Sequence, residues 1–210
     1  MYVKQKTFLG LIALLLASSL FFAMKPLEHG YKIGDDATDF ELKNVDGNKV
    51  SMGMMKYASA KGFILVFTCN HCPFSKKYEE RIMALNKKYE PLGFPLIAIN
   101  PNDPEREPED SFENMQKLAK EKGYTFPYLI DETQRLTYSY GAERTPHVYV
   151  VKKEAGKYKV AYIGAIDDDV QNQKEKKEKY VEKAVDELLA GKPVSQPLTK
   201  AVGCSIKWKQ

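Results

Sequence analysis

The run Phe63-Ile64-Leu65-Val66-Phe67-Thr68-Cys69-Asn70-His71-Cys72-Pro73 decides how this chain folds. An unbroken apolar run bounded by Gly62 and Thr68 reads as a strand buried on both faces, of the kind found in a sheet covered by helices. After Cys72-Pro73, the residues Tyr78, Ile82, Leu85 and Tyr89 recur at helical spacing, and Pro91 and Gly93 stop that helix. A C-x-x-C pair therefore falls between a buried strand and a helix. Unsatisfied N–H groups and the positive end of the dipole at a helix N-terminus stabilise a thiolate there. Two intervening residues let the cysteines close a small disulfide ring, the second sulfur being less exposed than the first. C-x-x-C alone says little, but strand, C-x-x-C and helix together point to dithiol–disulfide exchange. The alternative is a purely stabilising disulfide, which gains little from so short a loop. Attachment of a c-type haem would require His where Pro73 stands.

Working outward, residues 30–51 carry short alternating segments around Asp46-Gly47, which predicts a β-hairpin. Leu96-Ile97-Ala98-Ile99 is the next strand, and a polar, proline-containing loop over residues 101–110 leads to a helix marked by Phe112, Met115, Leu118 and Ala119. Residues 126–130 are extended, residues 133–140 form a short helix, and Thr145-Pro146 opens a strand over 147–151 that pairs with 158–163. Val181, Ala184, Val185, Leu188 and Leu189 stripe a last helix, with the lysine-rich run 174–183 read as its solvated face. The order predicts an α/β fold: a central mixed sheet with helices on both faces. Residues 30–192 form one domain, and 193–210 a tail that contains Cys204.

With 210 residues, 43% hydrophobic and 29% charged, the chain is neither disordered nor a polytopic membrane protein. The formal charge of +4 is spread over interleaved signs, so no basic footprint for nucleic acid exists. Three cysteines are too few for a disulfide-stapled scaffold, which leaves a hydrophobic core to hold the fold. Lys4 and Lys6 precede an uncharged apolar stretch over residues 7–24, and Lys25-Pro26 ends it. Residues 1–24 are therefore a signal peptide or a retained membrane anchor. Either places the remainder outside the cytoplasm, in the periplasm or on the outer face of the membrane, with membrane contact only through residues 1–24 if they stay uncleaved.

At these residues the sequence resembles a known family. The Cys69-Asn70-His71-Cys72 unit between strand and helix, the Thr145-Pro146 strand start and the hairpin after it are similar to the thioredoxin fold. Ile33-Gly34, Ala37, Asp39-Phe40, Leu42 and Asp46-Gly47 resemble the N-terminal signature of the alkyl hydroperoxide reductase/thiol-specific antioxidant (redoxin) superfamily. Phe67 to Phe74, Ala98-Ile99-Asn100 and Gly164-Ala165-Ile166-Asp167-Asp168 look like its peroxiredoxin-like branch. The resemblance implies that Cys69 is the nucleophile, that Cys72 resolves the mixed disulfide, and that Pro146 is a cis proline facing the pair. Pro146 has no N–H, so the Thr145 backbone is left open to a substrate strand. Two departures stand out. The threonine or serine three residues before a peroxidatic cysteine is replaced by Val66 or Cys69, and the proline seven before by Gly62 or Leu65. The buried acid of thioredoxins is replaced by Phe63, for which Glu143 is a candidate substitute.

His71, with Asn70 a modulating neighbour, would put positive charge beside the thiolate and make the disulfide more oxidising. Alternatively Cys69, His71 and Cys72 could supply soft ligands to copper or zinc, with Cys204 as a fourth. Cys204 is a candidate third thiol. Ile206 and Trp208 are expected to dock the tail, but nothing in the spacing from Cys72 demands contact, which favours an inert thiol. Three functions follow: an exported thiol–disulfide oxidoreductase acting on protein thiols and disulfides with a redox partner protein, a peroxiredoxin-like antioxidant peroxidase using hydroperoxide, or a copper or zinc delivery module. The first is preferred, with no cofactor and no resident metal. Cys69 is expected to have the lower pKa and Cys72, one turn into the helix, to be the more buried.

Overall fold

The computed structural model describes residues 29–210; the signal or anchor read in residues 1–24 lies outside them. No described helix is long and apolar enough to cross a membrane. In chain order the first strands are β1 (Asp36–Ala37), β2 (Leu42–Asn44), β3 (Lys49–Val50) and β4 (Gly62–Phe67). Then follow α1 (Pro73–Tyr89), β5 (Leu96–Asn100), α2 (Phe112–Lys122), β6 (Tyr128–Ile130) and α3 (Arg135–Tyr140). The last are β7 (Arg144–Thr145), β8 (His147–Glu154), β9 (Lys157–Gly164), α4 (Tyr180–Leu189) and β10 (Cys204–Ser205).

The main sheet runs β1-β9-β8-β4-β5-β6-β2-β3, with β4, β5 and β6 parallel and β8 antiparallel to β4. Every residue of β4 is buried, as its continuous apolar sequence requires. Strand alternation divides the core in two. Ile64 and Val66 face Tyr78, Ile82, Leu85 and Tyr89 of α1, Met115 of α2, and Val181 and Val185 of α4. Phe63, Leu65 and Phe67 face Phe40, Met52, Leu136 and Tyr140 on the other side. This is the mixed α/β sheet expected. Its consequence for function is positional: β4 ends against the start of α1 with both neighbours in register, so the cysteine segment is held at the C-terminal end of the central parallel strands.

Two expectations need correction. The β2–β3 hairpin turns at Asp46-Gly47, with Gly47 at φ +88° and the Asn48 N–H donating to Asp46 Oδ1 at 2.8 Å. The rest of residues 30–51 is not part of that hairpin, however, because β1 pairs with β9 at the opposite edge of the sheet. The lysine-rich run is likewise only partly helical. α4 begins at Tyr180, and the residues before it form a loop whose N–H groups are taken by carboxylates: Lys174 donates to Asp169 Oδ2 at 2.7 Å and Glu178 to Asp168 Oδ1 at 2.9 Å.

The tail returns to the domain. Leu198 bridges Ile163, and β10 then pairs antiparallel with β7, Cys204 opposite Thr145 and Ser205 opposite Arg144. Ile206 is 5% exposed and Trp208 packs on the same core cluster, so both dock the tail as their apolar character predicted.

Gly62 tests the packing at the centre of the sheet. A Cβ there would meet the Val151 carbonyl oxygen at 2.2 Å and Phe94 Cε1 at 2.4 Å. Gly62→Ala should therefore lower the unfolding free energy by about 1–3 kcal/mol, measured by urea titration. An unchanged midpoint would contradict this packing.

Candidate functional site: three cysteines at the end of the central strands

The segment from Thr68 to Cys72 leaves β4 and enters α1, whose N-cap is Cys72 in extended conformation. Cys72, at the N-cap, is the cysteine nearest the helix N-terminus; Cys69 lies before the helix. Both sulfurs belong to buried residues, Cys72 at 0% exposure and Cys69 at 4%. The two cysteines are not bonded to each other. Cys72 forms a disulfide with Cys204, with Cα atoms 6.0 Å apart, and Cys69 is a free thiol. The expectation of an inert Cys204 is thus overturned. Spacing in the sequence carried no sign of the contact, since it is made by non-local strand pairing.

A single residue gathers the three sulfurs. Thr145 Oγ1 lies 3.3 Å from Cys69 Sγ, the Thr145 carbonyl oxygen lies 3.1 Å from Cys72 Sγ, and Thr145 is the register partner of Cys204. The Thr145–Pro146 bond is cis, as the resemblance implied. Thr145 and Pro146, expected to receive a substrate strand, here lie under the tail. Gly203 makes this fit: a Cβ would stand 2.1 Å from the Thr145 carbonyl oxygen.

The electrostatics centre on Asp110, a fully buried carboxylate in the loop after β5. Its Oδ1 accepts from the Asn70 N–H at 2.7 Å and the His71 N–H at 3.1 Å. Its Oδ2 accepts from Asn102 Nδ2 at 2.6 Å and lies 2.6 Å from His71 Nδ1. These partners compensate the burial of the charge. Asn70 is further held by Tyr128, whose hydroxyl donates to Asn70 Oδ1 at 2.8 Å. His71 Nδ1 also lies 3.5 Å from Cys69 Sγ, and its Nε2 lies 3.7 Å from Glu107. Any charge on His71 is therefore shared between carboxylates and the thiol, not committed to the thiolate alone.

Burial, and then the negative charge of Asp110, push the Cys69 thiol up to about 12. Hydrogen bonds from Thr145, the Cys72 N–H and Ser75 oppose the rise without cancelling it. The expectation that Cys69 stands at an exposed helix start does not hold: the N-cap is Cys72, and Cys69 lies before it, buried and against a carboxylate. Glu143 is exposed and does not replace the missing acid; its carbonyl accepts from the Ile206 N–H at 3.4 Å. Cys69, His71 and Asp110 present ligand atoms within 4.8 Å of one another, a different set from the Cys69, His71 and Cys72 first considered for copper or zinc. In this state Cys72 is engaged with Cys204 and is not free to join a metal.

Because the neutral thiol is favoured, iodoacetamide should label Cys69 in the oxidised protein slowly up to about pH 9, where an unperturbed thiol already reacts. Asp110→Asn removes the repelling charge and should move the rise in labelling to lower pH. Labelling of the wild type near neutral pH at the rate of a free cysteine would contradict this geometry.

Residues 33–163 match the AhpC/TSA family. Among characterised proteins the chain is similar to thiol-disulfide oxidoreductase ResA of Halalkalibacterium halodurans, 25% identical over 153 residues that span 73% of this chain and 80% of the relative. It is also similar to the crystal structure of an uncharacterized conserved protein from Geobacillus kaustophilus, with 40% identity, a TM-score of 0.77, and coverage of 85% of this chain and 93% of that one. A hypothetical protein from Sinorhizobium meliloti 1021 matches with 30% identity and a TM-score of 0.77 over 86% of this chain and 96% of its own. On these matches and on the strand–C-x-x-C–helix geometry, the chain belongs to the AhpC/TSA family and has the thioredoxin fold.

Proposed function

We propose that the protein is a thiol–disulfide oxidoreductase that acts on protein substrates outside the cytoplasm. The observation that carries this reading is that Cys72 holds a disulfide to a cysteine presented in a strand along Thr145, with a second thiol, Cys69, beside it. Those are the three sulfurs of a disulfide exchange, arranged around one backbone edge. The similarity to thiol-disulfide oxidoreductase ResA supports the chemistry, and the basic and apolar character of residues 1–24 supports export.

Cys72 is the sulfur placed to meet partners. It caps a 17-residue helix, where the dipole favours a thiolate, and it already faces the strand edge. In the reductive direction its thiolate attacks one sulfur of a substrate disulfide. A Cys72–substrate bond forms, and the other substrate sulfur leaves as a thiolate that takes a proton. Cys69 then loses its proton and attacks Cys72 Sγ, forming Cys69–Cys72 and expelling the second substrate thiolate. The substrate gains two electrons and two protons, which a dithiol redox partner returns to the enzyme. These roles reverse the expected order of the two cysteines.

A peroxidase of this family would instead need a hydroxyl three residues before Cys72, the position that Cys69 occupies. In an assay with dithiol as reductant, the protein should reduce insulin disulfides catalytically. Cys72→Ser and Cys69→Ser should each lower that rate about 100-fold or more. Hydroperoxide consumption that outpaces insulin reduction would overturn the reading in favour of a peroxidase.

A further inference from the structure

We propose that the C-terminal strand is a built-in competitor of the substrate: Cys204 closes onto Cys72 in the seat a substrate cysteine takes, and Cys69 reopens the site by attacking Cys72. This deepens the oxidoreductase reading and rests on it. A strand added to the Thr145 edge satisfies backbone groups by β-augmentation, a general way for an extended peptide to bind a fold. Here the added strand is the chain's own β10, in antiparallel register with Arg144 and Thr145.

The fit is built in detail. Gly203 passes over the Thr145 carbonyl where no side chain fits. Beyond the bridge, the tail is tied to the loop that supplies Asp110. The Lys207 N–H donates to Asn102 Oδ1 at 2.9 Å, and the Lys207 carbonyl accepts from the Asp103 N–H at 2.9 Å and from Gln134 Nε2 at 2.8 Å. Arg106 donates to the Trp208 carbonyl at 2.9 Å. Asn102 thus contacts both the tail and Asp110, through Nδ2. Closure of the tail and the setting of the active-site loop therefore share residues, which a staple placed merely to hold a terminus would not need.

The chemical step is an isomerisation without net oxidation. Cys69 gives up its proton and its thiolate attacks Cys72 Sγ. The Cys69–Cys72 bond forms, the Cys72–Cys204 bond breaks, and Cys204 leaves as a thiolate and takes up a proton. The Thr145 edge is then free once the tail lifts. Intramolecular attachment gives Cys204 a high effective concentration against any substrate cysteine that competes for Cys72.

The test uses the full chain, oxidised with one equivalent of diamide, as wild type, Cys204→Ser and Gly203→Val. Gly203→Val keeps every thiol and disturbs only the seat. Peptide mapping should find Cys72–Cys204 with free Cys69 in the wild type, and Cys69–Cys72 in both variants. Trp208 is the only tryptophan of the chain, so acrylamide quenching reads the tail directly. Quenching should rise when the wild type is reduced and already be high in both oxidised variants. Both variants should oxidise a short peptide carrying two cysteines about fivefold faster or more than the wild type does. Rates and quenching unchanged in both variants would make the bridge a plain staple and overturn the proposal. A loss of activity in Cys204→Ser would overturn it too, making Cys204 an obligatory resolving cysteine. If mapping and quenching come out as expected but no protein oxidises the peptide faster than buffer, the tail does close on Cys72 and the oxidoreductase reading is what falls.

Discussion

Thr145 is the constraint around which the site is arranged. It is fully buried, and three of its features are each committed to a different cysteine: the hydroxyl to Cys69, the carbonyl to Cys72, and the strand register to Cys204. A residue fixed at a sheet edge beside Pro146 can offer its backbone to one strand at a time. Whether that strand is the chain's own tail or another protein's segment decides which disulfide forms. β4, from which the cysteine segment leaves, lies at the centre of the eight-stranded sheet between its two cores, and Thr145 belongs to the separate β7–β10 pair.

The second organising feature is a charge. Asp110 is a buried carboxylate that holds Asn70 and His71 through their backbone N–H groups. Burial first, and then the same negative charge, raise the Cys69 pKa and favour its protonated thiol.

How much of this was legible in the sequence follows from the range of each interaction. The strand, the C-x-x-C pair and the helix are local, and the apolar run ending at Phe67 and the stripe Tyr78, Ile82, Leu85, Tyr89 announce them. The hairpin at Asp46-Gly47 was readable for the same reason. Asp110 was not, because it lies in a polar loop where one carboxylate looks like any other, and its partners Asn70 and His71 are brought to it only by the β4–β5 pairing. Cys204 gave a partial signal: Ile206 and Trp208 alternate as a docked strand would, but a pairing across 132 residues has no spacing rule. Helix-start reasoning favours the first cysteine as nucleophile, whereas α1 begins at Pro73 and makes Cys72 the cap, which is what supports the proposed exchange of roles.

The central claim is that Cys72, and not Cys69, is the sulfur through which the protein meets its partners. Two double variants isolate each: Cys69→Ser with Cys204→Ser leaves only Cys72, and Cys72→Ser with Cys204→Ser leaves only Cys69. Each is mixed with oxidised glutathione at neutral pH and the adduct is followed by mass spectrometry. Glutathione should attach to Cys72 about tenfold faster or more than to Cys69, in keeping with the helix-capped position of one and the raised pKa of the other. An adduct that forms on Cys69 as fast as on Cys72, or faster, would contradict the account.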